Sequence, residues 1–82
     1  MTKEQLNETI DPELGVLLAD GFEDAFIGIG QQFNKHIAVY DYEKCIGILE
    51  QDMSRDEAEE YFSFNVVGAY VGEQTPIFVS TI

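Results

Sequence analysis

Residues 25–41 read AFIGIGQQFNKHIAVYD. Ala25, Ile27 and Ile29 alternate with Phe26, Gly28 and Gly30, and a period of two predicts a strand over Ala25–Phe33. His36–Asp41 predicts a second strand, and Asn34-Lys35 between them a turn, so the pair forms a β-hairpin. Asn-Lys is a weaker hairpin signal than Asn-Gly, which leaves the register open. The two glycines strip one face of the first strand nearly bare, so something lies close against it: a helix, a ligand or the backbone of a partner.

Beyond the hairpin the period changes. Asp41 is placed to cap a helix, and Tyr42, Cys45, Ile46, Leu49 and Met53 then fall on one apolar stripe, with Glu43, Lys44, Glu50 and Gln51 outside it. Ser54-Arg55-Asp56-Glu57 has the spacing of a capping box and starts a second helix. Asp56 and Glu57 in its first turn suit the positive end of the helix dipole. Its inward stripe is predicted to be Ala58, Tyr61, Phe62, Asn65 and Ala69, with an end near Gly72. Thr75-Pro76 breaks the chain, and Ile77-Phe78-Val79 reads as a short terminal strand.

On the other side of the hairpin, Asp11-Pro12 looks like a helix start with Asp as N-cap and Pro at the first position. Gly21 is its expected stop, although Gly15 weakens the helix between them. Residues 1–10 read as either a loose helix or a frayed arm. The order (α)–β–β–α–α–β makes an α+β fold. At 82 residues, with no repeat, linker or low-complexity tract, it is one domain spanning residues 1–82.

Composition narrows function by exclusion. Sixteen Asp and Glu against four Lys and Arg give a net charge of −12, so nucleic acid and anionic lipid are repelled and a basic partner is favoured. The charge is also segregated. Residues 1–24 carry −6, residues 25–40 carry +1 from Lys35 with no acid, residues 41–60 carry −6, and residues 61–82 carry −1. The polar, acidic start predicts no signal peptide, and no stretch approaches a membrane span of ~18 apolar residues. Cys45 is the only cysteine, which excludes an internal disulfide and fits a reducing cytosol.

Candidate chemistry is thin. His36 with Cys45 and Asp41 invites a nucleophile–base–carboxylate reading. Against it, a free cysteine on an apolar stripe is ordinarily an inert small hydrophobe, and a hairpin histidine is ordinarily a surface or packing residue. Glu57 and Glu60 are an i, i+3 carboxylate pair, but no Glu-x-x-His, Cys-x-x-Cys or calcium loop supports a metal site. Ile27-Gly28-Ile29-Gly30 lacks the third glycine and the lysine of a phosphate loop. No catalytic residue, metal ligand or cofactor is expected.

The second helix holds the informative anomaly. Asp56, Glu60, Phe64 and Val67 fall on the side opposite Ala58, Phe62 and Ala69, acidic in its first half and apolar in its second. The first expectation is that Ile77–Val79 packs over Phe64 and Val67. The sharper alternative is an exposed apolar spot rimmed by carboxylates, the makeup of a protein–protein interface. The candidate partner interface is then Asp52, Asp56, Glu57, Glu59 and Glu60 with Phe64 and Val67. For the acidic blocks the bland reading is a solvated, solubilising face. The functional one is competition for the basic groove of a nucleic-acid-handling protein.

Val39-Tyr40-Asp41-Tyr42 with Lys44-Cys45-Ile46, Glu59-Glu60-Tyr61-Phe62 with Phe64-Asn65-Val66, Gly68-Ala69-Tyr70-Val71-Gly72-Glu73 and Thr75-Pro76-Ile77-Phe78 resemble an uncharacterised family of short acidic tailed-bacteriophage proteins. The resemblance covers residues 19–79 and implies a phage product working in the host cytoplasm. By analogy with anti-CRISPR and anti-restriction proteins, it points to a non-enzymatic protein that binds and inhibits or modulates a host factor. The partner is expected to be a host or phage protein with a basic surface, with no direct nucleic acid and no membrane. A homodimer or small oligomer, built through the hairpin edge or the Phe64 face, is the alternative.

Overall fold

Tyr40 sits fully buried in the middle strand of a three-stranded sheet, and the rest of the chain is arranged around it. The computed structural model describes residues 2–69 and 71–81. The chain runs α1 (Lys3–Thr9), β1 (Phe26–Gln32), β2 (Lys35–Asp41), α2 (Tyr42–Leu49), α3 (Arg55–Phe62) and β3 (Ile77–Val79). It is an α+β fold with sheet order β1-β2-β3. β1 and β2 are antiparallel; β3 lies parallel to β2, with Tyr40 opposite Phe78. A parallel neighbour needs a long crossover, which α2 and α3 supply.

The hairpin turns one residue earlier than the sequence predicted. Gln32 pairs with Lys35, so the two-residue tip is Phe33-Asn34 and not Asn34-Lys35. Phe33 has φ 55°, and no other described non-glycine residue has a positive φ. A tight hairpin tip demands that conformation, which ordinarily selects Gly or Asn. Ala25 lies outside the strand, in a 3-10 turn over Glu23–Ala25, and is buried. The bare glycine face faces nothing exotic. A Cβ on Gly30 would lie 3.2 Å from Val39 Cγ2 on the neighbouring strand, while Gly28 has open space.

The helix predicted from Asp11 to Gly21 shrinks to one 3-10 turn, Pro12–Leu14. Asp11 caps it as expected, accepting from the Glu13 N–H at 2.9 Å. Gly15 then adopts the left-handed conformation (φ 66°) and stops it six residues early. The Gln74 side-chain amide completes the arrest by donating to both Leu14 O (2.9 Å) and His36 O (3.0 Å). Beyond it, the Ala19 N–H donates to Tyr40 Oη at 2.8 Å. At the start of the chain, the helical alternative holds. Thr2 and Gln5 cap α1 reciprocally, and Leu6 is buried beneath it.

Asp41 and Ser54 cap α2 and α3 as predicted, accepting from the N–H groups of Lys44 and Glu57. α2 ends at Leu49, so Met53 reaches the core from the following loop. α3 departs from expectation at its end: Ser63–Val67 forms a π-helical turn, with the Gly68 N–H donating to Ser63 O at 3.1 Å. The wider turn rotates the later positions by about one residue. Val66 therefore takes the core position predicted for Asn65, and Asn65 and Ala69 are exposed; Tyr61, which precedes the turn, is exposed as well, at the edge of the predicted stripe. The helix does not continue to Gly72.

Aromatic rings fill the centre. Phe62 meets Phe78 at 4.9 Å, Tyr42 at 5.5 Å and Phe22 at 5.6 Å between centroids, all edge-on. Tyr40 meets Phe26 and Phe78 at 5.6 Å. Burial pushes the Tyr40 phenol up from its ordinary pKa, against the opposing hydrogen bond from Ala19. Chemical denaturation should register two of these features. Tyr40→Phe leaves the partly buried Ala19 N–H without its acceptor and costs about 1–2 kcal/mol. Phe33→Gly releases the left-handed strain of an exposed residue and stabilises by about 0.5–1 kcal/mol; a loss instead would show that the Phe33 ring holds the fold.

Candidate functional site

The Ser54 cap and the first turn of α3 fix the direction in which the acidic residues point. Asp56, Glu57 and Glu60 are exposed on α3, and Asp52 is exposed in the loop before it. Arg55 does not neutralise these four. It reaches Glu43 at 3.0 Å, Glu59 at 3.1 Å and Glu50 at 3.6 Å, clamping α3 to the acidic edge of α2. Those hydrogen bonds, Glu43 first and then Glu59, raise the Arg55 pKa further above its already high value. Glu59 is thus the member of the predicted interface paired with a cation, while the Glu57 carboxylate accepts a hydrogen bond from Ser54 Oγ at 3.0 Å. Among the described residues no cation pairs with Asp52, Asp56, Glu57 or Glu60.

Phe64 is 76% exposed and Val67 53% exposed, so β3 does not pack over them. Phe78 turns inward to Phe62 and Tyr40, and Phe64 and Val67 stay uncovered on the outer side of the helix. The first expectation, that the two residues are sandwiched, is overturned. Glu57, Glu60 and Phe64 meet around one shallow depression of about 350 Å³, together with Met53, Tyr61 and Asn65. Asp52, Asp56, Glu59 and Val67 lie outside its lining.

Tyr61 and Asn65 also form the wall of a larger open groove, about 470 Å³, between the Leu18–Phe22 strap, the end of α2 and the segment before β3. It is lined mainly by apolar side chains such as Leu18, Ile48, Leu49, Val66 and Val71, with Asp20 and Tyr61 the titratable groups among its described residues. Sequence periodicity missed this groove, because an unbroken α-helix would have put Asn65 and Ala69 inside. A glycine directly after the helical stripe, Gly68, marks where the wide turn closes, yet nothing in its spacing distinguishes a π turn from an ordinary stop.

No family model, curated protein or solved structure matches the chain. The chemistry of the site therefore rests on its own geometry. Among the described residues no three His, Cys, Asp or Glu side chains are arranged to hold a metal ion. No helix among them is long and apolar enough to cross a membrane.

The His36–Cys45–Asp41 combination fails on its nucleophile. Cys45 is fully buried in the core, and burial, assisted by the Asp41 carboxylate, pushes its thiol up to about 12. A thiolate is the reactive form, and this environment suppresses it. At mildly alkaline pH the folded protein should react with a thiol reagent roughly a thousandfold more slowly than the denatured chain, and equal rates would contradict the burial. The same shift makes stability depend on pH. A thiol whose pKa is raised by folding contributes fully below its ordinary value of 9.0, and that contribution is lost as pH climbs towards about 12. Cys45→Ala should flatten this alkaline decline in unfolding experiments.

Proposed function

We propose that the protein is a non-enzymatic, phage-type binding protein that inhibits or modulates a host factor with a basic, nucleic-acid-handling surface. The bacterial host cytoplasm is its place of action in this reading. The observation that carries it is the exposed Phe64 side chain beside the uncompensated carboxylates Glu57 and Glu60. An apolar anchor rimmed by like charges attracts a cationic surface at long range and holds it at short range.

Charge density supports the electrostatic half of this reading. Asp56, Glu57 and Glu60 fall within five residues of α3, about 7.5 Å of helix axis, or roughly one uncompensated charge per 2.5 Å. Duplex DNA carries one per about 1.7 Å, so the helix presents a comparable field to a groove built for phosphates. The same charges keep the protein itself off nucleic acid. The resemblance to short acidic phage proteins agrees with inhibition by occupation, in which no bond is made or broken.

Capture from bacterial lysate, at low and at high salt, tests the proposal. The expected result is a basic protein retained at low salt and released at high salt, where the Debye length falls from about 10 Å to about 3 Å. Phe64→Asp and the double change Glu57→Gln with Glu60→Gln should each weaken retention by about tenfold. Retention that ignores salt, or survives both variants, removes this surface from the function.

A further inference from the structure

The longest acid-free stretch of the chain, residues 25–40, forms the outer hairpin of the sheet. β1 has β2 on one side alone, and among the described residues no backbone hydrogen bond reaches its other side. Sheet edges in monomeric proteins are ordinarily blunted by lysine, proline, inward charge or a bulge. β1 has no charge and no proline. Its one irregularity, the register shift between Phe26 and Gly28, falls at its start and leaves Gly28–Gln32 in regular register. Along this edge Ile27 is 54% exposed and Ile29 37% exposed, and Phe33 at the tip is 91% exposed.

The charge distribution selects the occupant. Two molecules of net charge −12 repel each other wherever their acidic helices approach, and the β1 edge is the surface where they meet without that penalty. A cationic partner gains nothing from a neutral strand and is drawn to α3 instead. An identical neutral, apolar edge is the matching surface. We propose that β1 pairs antiparallel with β1 of a second copy across a two-fold axis, joining two three-stranded sheets into one.

With the axis near Ile29, the midpoint of Phe26–Gln32, each Phe33 tip lies beside the Ala25–Ile27 start of the other copy. That arrangement gives Phe33 a contact in exchange for its strained backbone. The interface is isologous and closed, so association stops at two. It uses none of Asp56, Glu57, Glu60 or Phe64, so a dimer carries the partner surface twice. Its salt response is also opposite in sign to that of partner capture: screening weakens the repulsion between the acidic bodies and tightens the dimer.

Sedimentation equilibrium from micromolar to millimolar protein, at low and high salt, tests it. The mass should rise from 9.2 kDa towards twice that value, further at high salt than at low. Amide hydrogen exchange in Gly28–Gln32 should slow as concentration rises. Ile29→Lys and Phe33→Gly should each weaken association about tenfold or more, while Phe64→Asp leaves it unchanged. Phe33→Gly also relieves backbone strain, so its effect is not confused with misfolding. A single-chain mass at every concentration and salt overturns the proposal, as does growth beyond two chains, or a dimer broken by Phe64→Asp and indifferent to Ile29→Lys. A monomer that still captures a basic protein leaves the proposed function standing and removes only the dimer.

Discussion

Edge-on packing of Phe62 against Phe22, Tyr42 and Phe78 is the interaction on which the rest of this structure depends. Those rings come from α3, the N-terminal strap, α2 and β3, so one side chain binds four segments that share no hydrogen-bond ladder. Tyr40 and Phe26 extend the seam across the sheet. A domain of this size buries only about 60% of its unfolded surface, and large rings are the most economical way to fill so small a core. No polar or charged residue shares that core among the described residues. Sixteen carboxylates must therefore lie outside it, which is why the acidic blocks end up on the helices and the strap.

Much of this was legible in the sequence because local rules and packing agree. Alternation between Ala25 and Phe33 and the Asp41 and Ser54 caps each have a local cause, and each places a strand or a helix start within a residue or two, whereas the Tyr42–Met53 stripe overran its helix by four residues. The misreadings share a different origin. Phe33 occupies a turn position that propensity assigns to its neighbour Asn34, since strand pairing outweighs the strain of one left-handed residue. The strap after Leu14 depends on an amide sixty positions away, which no local window contains. Strand order was not legible either, because a parallel β3 is a property of the crossover and not of Ile77-Phe78-Val79.

The π turn links the fold to the candidate surface. Asn65 and Ala69, expected on the inward stripe, are exposed, and Val66, one turn after the buried Phe62, packs against the core instead. Phe64 points outward beside Glu57 and Glu60, and Val67 is exposed outside that depression. The residues of the exposed spot were legible in the sequence, with burial under Ile77–Val79 and exposure as the two alternatives, and the inward turn of Phe78 decides for exposure. The outer hairpin offers a surface of the opposite character, neutral where α3 is charged. Acidity confined to separate blocks lets one small chain hold both without either cancelling the other.

Gln74 carries a compositional consequence. Its amide nitrogen donates two hydrogen bonds, to the carbonyl oxygens of Leu14 and His36. A carboxylate of the same length has no proton to offer and would set its lone pairs against both carbonyls. In a chain so rich in glutamate, this is a place the acidity cannot spread to. Deamidation there would add a single negative charge and, in the same event, remove the tie at Leu14, leaving the strap to the Ala19–Tyr40 hydrogen bond and the Phe22–Phe62 ring contact.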